Sequence, residues 1–334
     1  MAESTLDKIG SIRTFLAVVE AKSFSEAARR LSLSAAAVSK AIARLESNLG
    51  IRLLRRNTRS VSLTFEGELF CARSQHILSE LEEAEAEVAR GVSVPSGRLR
   101  IQVPRGFGRK ILLPALSQWL ERFPKVCADV DFSDRRTADL PEEGIDVAIR
   151  FGMTGDSRVI ARKLADIHFV ICASPTYLRR RGTPLAPQDL KRHNCLAYVL
   201  PQTGRYLEWN FTDGKRTWSE LLSGTVNVND AQTLVNCAID GVGIIRVASY
   251  LVADEIRSRH LKMVLSEYVP VGPPIQVVYF QRSYLSARIR AFVDFMVELV
   301  PPEPWWDRAL FDFAQNEYRS GRLHRNDQKT PKLP

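Results

Sequence analysis

Arginine and lysine are the residues of this sequence whose spacing most suggests chemistry, and that chemistry is the gripping of a polyanion. Lys40 and Arg44 lie one helical turn apart, and Arg52, Arg55, Arg56 and Arg59 follow closely. Such groups pair with phosphate and, inside a groove, reach guanine edges. Nothing comparable is arranged for covalent chemistry. The sequence has no GxSxG, HExxH, phosphate-loop or zinc-ligand spacing, and His76, His168, His193, His260 and His324 stand at no metal-ligand interval. No catalytic residue, cofactor or metal is expected. Cys71, Cys127, Cys172, Cys195 and Cys237 include no CxxC and read as reduced thiols.

The charge is unevenly placed. The 334 residues carry a formal net charge of +9. Residues 1–64 hold eleven basic side chains against five acidic ones, whereas residues 65–90 hold two against seven. A basic head followed by an acidic segment implies two different jobs, the first with nucleic acid. Composition, 45% hydrophobic and 25% charged, is that of a soluble globular protein. No run of about 18 apolar residues occurs, and Met1 to Ile12 shows no secretory leader. A cytoplasmic, nucleoid-associated location is expected, with no membrane partner. The length suggests about two domains.

The elements that would position the basic groups can be read from periodicity. Ile9, Ile12, Phe15, Leu16 and Val19 predict a helix over 5–20. Ser23 and Glu26 form a capping box that opens a second helix. After the break Ser32-Leu33-Ser34, Ser34 can cap a third, on which Val38, Ile42, Leu45 and Leu49 make one buried stripe. Its opposite face, with Ala36, Ser39, Lys40, Ala43, Arg44 and Ser47, is small, polar and basic. That pair of helices is a helix-turn-helix arrangement. Gly50 ends the third helix. Ile51–Arg56 and Arg59–Leu63 read as two strands around Asn57-Thr58, a wing carrying the four arginines.

At this point the sequence resembles the LysR family of bacterial transcriptional regulators. The matching residues include Phe15, Ser23-Phe24, Ala27-Ala28, Leu31, Ser34, Ala37-Val38-Ser39, Ile42, Leu45-Glu46, Leu49-Gly50, Leu53-Leu54, Arg56, Thr58-Arg59, Val61, Leu63-Thr64 and Gly67. The resemblance implies DNA contacts from Ser23, Ser34, Ala35, Ala36, Ser39, Lys40, Arg44, Arg52, Arg55, Arg56, Thr58 and Arg59. The family often has Gln-Pro where this chain has Ala35-Ala36, so a base-reading side chain is absent there.

Thr64 can cap a long helix running to Arg90. Phe70, Ile77 and Ala84, interleaved with Ser74, Leu81 and Val88, form an imperfect a/d seam. Phe70, Ile77, Leu81, Ala84 and Val88 are the expected dimer contacts. By resemblance these helices pair antiparallel, the assembly is a homodimer or homotetramer on an approximately two-fold, AT-rich operator, and a neighbouring or divergent gene is controlled. RNA polymerase is a further candidate partner.

Beyond the turn-rich joint Val94-Pro95-Ser96-Gly97, strand and helix patterns alternate, implying an α/β fold with largely parallel strands. Strands are expected at Leu99–Val103, Val126–Phe132, Asp146–Arg150 and Phe169–Ala173, and a helix over Arg109–Phe123. This region resembles the LysR effector-binding domain through Phe107-Gly108-Arg109, Glu143 to Arg150, Ala161-Arg162-Lys163-Leu164, Ala173-Ser174-Pro175, Asn229-Asp230 and Gly241-Val242-Gly243-Ile244. The fold class is thus α+β multidomain. It comprises a winged helix-turn-helix at 1–64, a linker helix at 65–90 and a two-lobed α/β effector-binding domain at 91–300, similar to periplasmic solute-binding proteins. Lobe one would be about 97–166 plus 268–300, and lobe two about 167–267.

A cleft between such lobes would draw its ligand contacts from Arg105, Gly106 and Phe107, from Asp134, from Arg150, Phe151 and Gly152, and from Gln202, Thr203, Asn229 and Asp230. Arg105 near Arg150 would hold a carboxylate, so the expected effector is a small organic anion; the alternative leaves Arg105 in solvent or paired with Asp134. Residues 301–334 form an extension. Trp305-Trp306, Leu310, Phe311 and Phe313 suggest a short helix docking on a neighbour, and from Ser320 onward the composition is that of a disordered, basic tail. Two other functions compete with a ligand-responsive regulator. One is an enzyme or solute-binding protein bearing a DNA-like head, and the other a ligand-independent architectural DNA binder, which requires an occluded cleft.

Overall fold

Ser23, Ser34 and Thr64 each precede by three residues a backbone N–H that needs an acceptor, and in the computed structural model each caps the helix that follows. The donors are Glu26 N at 3.3 Å, Ala37 N at 3.1 Å and Gly67 N at 2.9 Å. The structure describes residues 5–57, 60–90, 94–134, 140, 143–152, 158–280, 285–308 and 310; of these, 5–7, 56, 57, 60, 72, 76, 79, 80 and 82–90 are described by backbone alone. Thr58, Arg59, Phe311, Phe313 and the tail beyond lie outside the described residues, as do the side chains of Arg56, Ala84 and Val88. The chain divides into two units, residues 1–94 and 95–334.

The first unit runs α1 (Thr5–Ala21), α2 (Phe24–Arg30), α3 (Ala35–Leu49), β1 (Leu54–Asn57), β2 (Ser60–Leu63) and α4 (Phe65–Arg90). Its core gathers Phe15, Val18, Ala27, Ala28, Val38, Ile42, Leu45, Leu53 and Leu54. The most buried stripe of α1 is Ser11, Thr14, Phe15 and Val18, with the expected Ile12, Leu16 and Val19 half-buried against the same core. Two of its members are polar and hide the pattern: Thr14 donates to the Gly10 carbonyl at 2.8 Å, and Ser11 accepts from Arg44 at 3.2 Å. The capping box at α2 is only half made, because the Glu26 carboxylate turns to Arg29 and Arg30 instead of the Ser23 backbone. Gly50 ends α3 with φ 69°, the left-handed C-cap that glycine adopts most freely.

The wing is shorter than the sequence suggests. Leu54 pairs with Leu63 and Asn57 with Ser60, so Asn57 belongs to a strand and not to the turn. The first strand begins at Leu54 because Glu46 intercepts the preceding backbone: its Oε1 accepts Leu53 N at 2.8 Å and Leu54 N at 3.0 Å. On α4 the inward face is Gly67, Cys71, Ser74 and Leu78. Phe70 packs edge-on to Phe15 at 5.6 Å, so it serves the core of its own unit and is not a free seam residue. Among the described side chains of this helix, Phe65, Leu69 and Ile77 are the exposed large apolar ones.

The second unit contains β3 (Gly97–Val103), α5 (Arg105–Phe107), α6 (Leu113–Arg122), β4 (Val126–Phe132), β5 (Val147–Phe151), β6 (Val159–Asp166), β7 (Phe169–Ala173), α7 (Pro175–Arg181), β8 (Ala197–Tyr198), β9 (Trp209–Thr212), β10 (Thr217–Glu220), β11 (Asn227–Val228), α8 (Ala231–Ile239), β12 (Ile245–Ala248), α9 (Ser249–Arg257), β13 (Lys262–Val264), β14 (Pro274–Phe280) and α10 (Ala287–Leu299). Five strands form one sheet in the order β4-β3-β5-β14-β6; β3 is parallel to both neighbours, and β14 is antiparallel to both of its own. A smaller antiparallel sheet has the order β12-β7-β13, flanked by the short pairs β8-β11 and β9-β10. The strands are therefore mixed, not largely parallel. After β13 the chain returns to the first sheet and enters it between β5 and β6.

The helix after β3 starts at Arg105, four residues earlier than expected. Gly106 and Gly108, which read as loop residues, are there for close approach: a Cβ at 106 would meet Leu251, and one at 108 would run into Val103 and Phe132. Between α5 and α6 the helix widens into π turns over Gly108–Leu112. Residues 305–308 form a last helical turn, and Trp306 and Leu310 insert into the core of their own unit, not into a neighbour.

Candidate functional site

Two surfaces collect the residues singled out by type and spacing. On the first unit, the outward face of α3 exposes Ala35, Ala36, Lys40, Ala43, Arg44 and Ser47, with Ser39 half-buried. Ala35 and Ala36 stand on the first turn, where Ser34 spends its hydroxyl on capping. Ser23 likewise spends its hydroxyl on Glu26 N. Arg44 leans back onto α1 through Ser11, which leaves Lys40 as the cation that α3 presents outward near its middle. On the wing, Arg55 is exposed, and Arg52 is exposed 3.6 Å from the Glu46 carboxylate. Glu46 was not singled out as functional, yet it is the residue that sets the wing against α3.

On the second unit, Asp134 is the centre of a polar cluster. Its Oδ1 accepts the Arg105 N–H at 3.0 Å, so it caps the helix start. Its Oδ2 accepts the Tyr198 hydroxyl at 3.3 Å, and its carbonyl accepts from Gln202 Nε2 at 3.0 Å. Asp230 caps α8 by accepting from Thr233 N and Oγ1, both at 2.8 Å, and its other oxygen lies 4.0 Å from Arg109. Asn229 is exposed beside it. Lys110 meets Asp254 at 3.2 Å. These contacts draw groups after β3 and β4 against groups around β8, α8 and α9. The half-buried Arg105 guanidinium has no hydrogen bond or ion pair among the described residues. Tyr198 lies in the field of Asp134, Arg105 and Asp230; burial and then Asp134 push its hydroxyl pKa upward.

Other expected members lie elsewhere. Phe107 is fully buried and forms an edge-on aromatic cluster with Phe151 at 5.9 Å, Tyr250 at 5.4 Å and Trp306 at 6.4 Å. It belongs to the hydrophobic core, with Phe151 part of the same packing. Arg150 is not beside Arg105. It leaves the opposite sheet face to donate to Gln102, in a cluster with Asp131 and Glu143; burial lowers its pKa and the two carboxylates raise it. Gly152 is a turn residue with φ 95° whose N–H donates to Pro274. Thr203 is exposed and accepts from Arg205 N. Tyr198 and Tyr250 were missed, since tyrosines at a strand end and inside an apolar helix carry no spacing signal. A hollow of about 230 Å³ lies between α6 and α10, but its charged walls, Arg122 and Glu298, pair with each other at 3.9 Å, whereas the cleft groups converge.

Comparison with known proteins decides what these surfaces belong to. Residues 9–68 match the bacterial regulatory helix-turn-helix protein family of LysR type, and residues 93–301 match the LysR substrate binding domain. The chain is a LysR-type transcriptional regulator. An HTH-type transcriptional repressor of Pseudomonas aeruginosa is 33% identical over 299 residues, 90% of this chain and 94% of its own length. The transcriptional regulator CrgA of Neisseria meningitidis is 33% identical over 86% of this chain and 95% of its own length. The solved structure of CrgA superposes with a TM-score of 0.57 over 90% of this regulator and 99% of that chain, at 31% identity. Full-length AphB, a virulence activator of Vibrio cholerae, gives 0.55 over 88% and 99% at 25% identity. The regulator therefore binds DNA through its helix-turn-helix and carries an effector-binding domain. The competing assignment to an enzyme falls with this membership. Among the described residues no helix is long and apolar enough to cross a membrane.

Proposed function

We propose that the protein switches promoter activity in response to a small organic anion held in the cleft of its second unit. The observation that carries this is Arg105, a half-buried guanidinium without a partner among the described residues, set at a helix start between two groups of strands. Those groups, about 97–166 with 268–300 and about 167–267, act as the two lobes, and ligand binding changes their closure. The contacts of Asp134 with Tyr198 and Gln202 favour the ligand-independent architectural reading instead, and thermal unfolding separates the two. A carboxylate at about 100 times its dissociation constant raises stability by roughly 2.7 kcal/mol, a gain lost in Arg105→Ala. A protein that no carboxylate shifts is not an anion sensor.

Operator contacts in this reading come from Ala35, Ala36, Ser39 and Lys40 on α3 and from the wing residues Arg52, Arg55, Arg56, Thr58 and Arg59, with Ser23, Ser34 and Arg44 bracing the helices. Two copies joined through α4 present two winged helices to a pseudo-symmetric site in the cytoplasm. Exposed Phe65, Leu69 and Ile77 support that pairing, and Leu81, Ala84 and Val88 are the contacts expected further along. The check is anisotropy titration of a labelled duplex from upstream of the protein's own gene. Arg55→Ala lowers the slope of log affinity against log salt by about 1, while Phe65→Asp with Ile77→Asp converts the assembly to a smaller one by light scattering.

A further inference from the structure

The polar groups of the cleft do not add up to a site for a plain anion. Asp134 already holds the helix-start position that an anion would take, through the Arg105 N–H, and presents its other oxygen to Tyr198. Asp230 is a second carboxylate in the field of Tyr198. A carboxylate ligand would enter beside two like charges, of which Asp230 is opposed by Arg109 at 4.0 Å, with Arg105 as the nearby cation that pairs with no carboxylate among the described residues. A bare cation would find Asp134 but would meet the Arg105 guanidinium, which has no ion pair among the described residues.

Tyr250 supplies an independent observation. Its side chain is 5% exposed, with its ring packed against Phe107, Phe151 and Trp306. Its hydroxyl has no hydrogen-bond partner among the described residues, and it lies within the fields of Asp134 and Tyr198. That hydroxyl is therefore available to a polar ligand group, as donor or acceptor. It faces the carboxylate side of the cleft, where a donor of positive charge would complete it.

We propose that the ligand is a zwitterion, an amino acid or small amino-acid derivative. Its ammonium group lies among the Asp134 carboxylate and the hydroxyls of Tyr198 and Tyr250, and its carboxylate is held by the Arg105 guanidinium. The inference rests on the cleft being the effector site and replaces the plain anion with a ligand that carries both charges. Each pole of the ligand meets the protein group that lacks an opposite charge, and the tyrosine hydroxyls accept from the ammonium while the aromatic cluster excludes water.

The test is calorimetric titration of the full chain with three matched probe sets: the standard amino acids, the α-hydroxy acids with the same side chains, and the corresponding primary amines. The expected result is at least one amino acid that binds about tenfold or more tightly than both its hydroxy acid and its amine. Asp134→Asn keeps an oxygen for the Arg105 N–H and should close the gap between amino acid and hydroxy acid. Tyr250→Phe, which removes only the hydroxyl, should weaken the amino acid and serves if the first variant does not fold. A hydroxy acid that binds as tightly as its amino acid overturns the zwitterion and leaves the anion reading standing. Silence of all three sets, in protein that still binds its operator, overturns both.

Discussion

Glu46 shows how much a single residue can do without advertising it. It lies on the second helix of the helix-turn-helix and reads as one more solvated charge, yet it is 5% exposed and accepts two backbone N–H groups of the segment leading into the wing. Glu46→Ala leaves both donors buried and unmet, a loss of about 1–3 kcal/mol for each. Glu46→Gln, which keeps one oxygen, should lose less. Urea unfolding of the full chain measures both, and equal losses would show that the hydrogen bonds are not what matters. Local roles of this kind divide cleanly by legibility. Ser34 and Asp230 could be recognised as caps because donor and acceptor are three residues apart. The partners of Glu46 and Asp134 depend on where the chain returns. Asp134 finds Tyr198 sixty-four residues later, and no periodicity encodes that.

Elements were legible where an apolar stripe was unbroken, as on α3, and misread where polar or glycine residues served packing. The inward side of α1 contains Ser11 and Thr14 beside Phe15 and Val18, so hydrophobic spacing finds Phe15 and the half-buried flank of Ile12, Leu16 and Val19 but not the polar members. The seam on α4 was drawn through Phe70, which belongs to the core beneath, because two faces of that helix carry large side chains and spacing alone cannot say which is already occupied. Glycine is the other source of error. Gly67 at the start of α4 faces the Leu53 carbonyl so closely that a methyl group would collide with backbone. Gly67→Ala should therefore cost about 1–3 kcal/mol, against the gain that alanine normally brings inside a helix. The variant's melting point checks this: a rise would mean that α4 can shift away from the wing at little cost.

At the scale of the whole chain, the family and the order of its parts were readable, while the contacts of Asp134 with Tyr198 and Gln202 and the fate of the C-terminal segment were not. The segment after α10 was expected on a neighbour, but Trp306 is 1% exposed within its own unit and touches Phe107 and Tyr250. Trp306→Ala should destabilise the protein by about 3–5 kcal/mol, measured by denaturant unfolding. Asp307 adds an ionic tie, its Oδ2 lying 2.9 Å from His168 Nδ1. That contact, before the opposing effect of burial, raises the histidine pKa above its usual 6.5. A histidine bound more tightly to its proton in the folded state stabilises fully below about pH 6.5, and the contribution fades as pH rises through the raised folded value. The stability difference between the protein and Asp307→Asn should thus be largest in mild acid and shrink toward alkaline pH. A difference constant across that range would remove the ionic role.

The position of Trp306 also makes the protein an optical reporter of its own cleft. The indole is sealed between Phe107 and Tyr250, 6.2 Å from the tyrosine ring, while its neighbour Trp305 is exposed. A sealed indole emits toward the blue and collects excitation from a tyrosine so near. Any molecule that moves the Tyr250 ring, or lets water reach Trp306, changes both the colour and the energy transfer. Comparing emission with that of Trp306→Phe would read the occupancy of the cleft in solution, with no label attached and without knowledge of the operator.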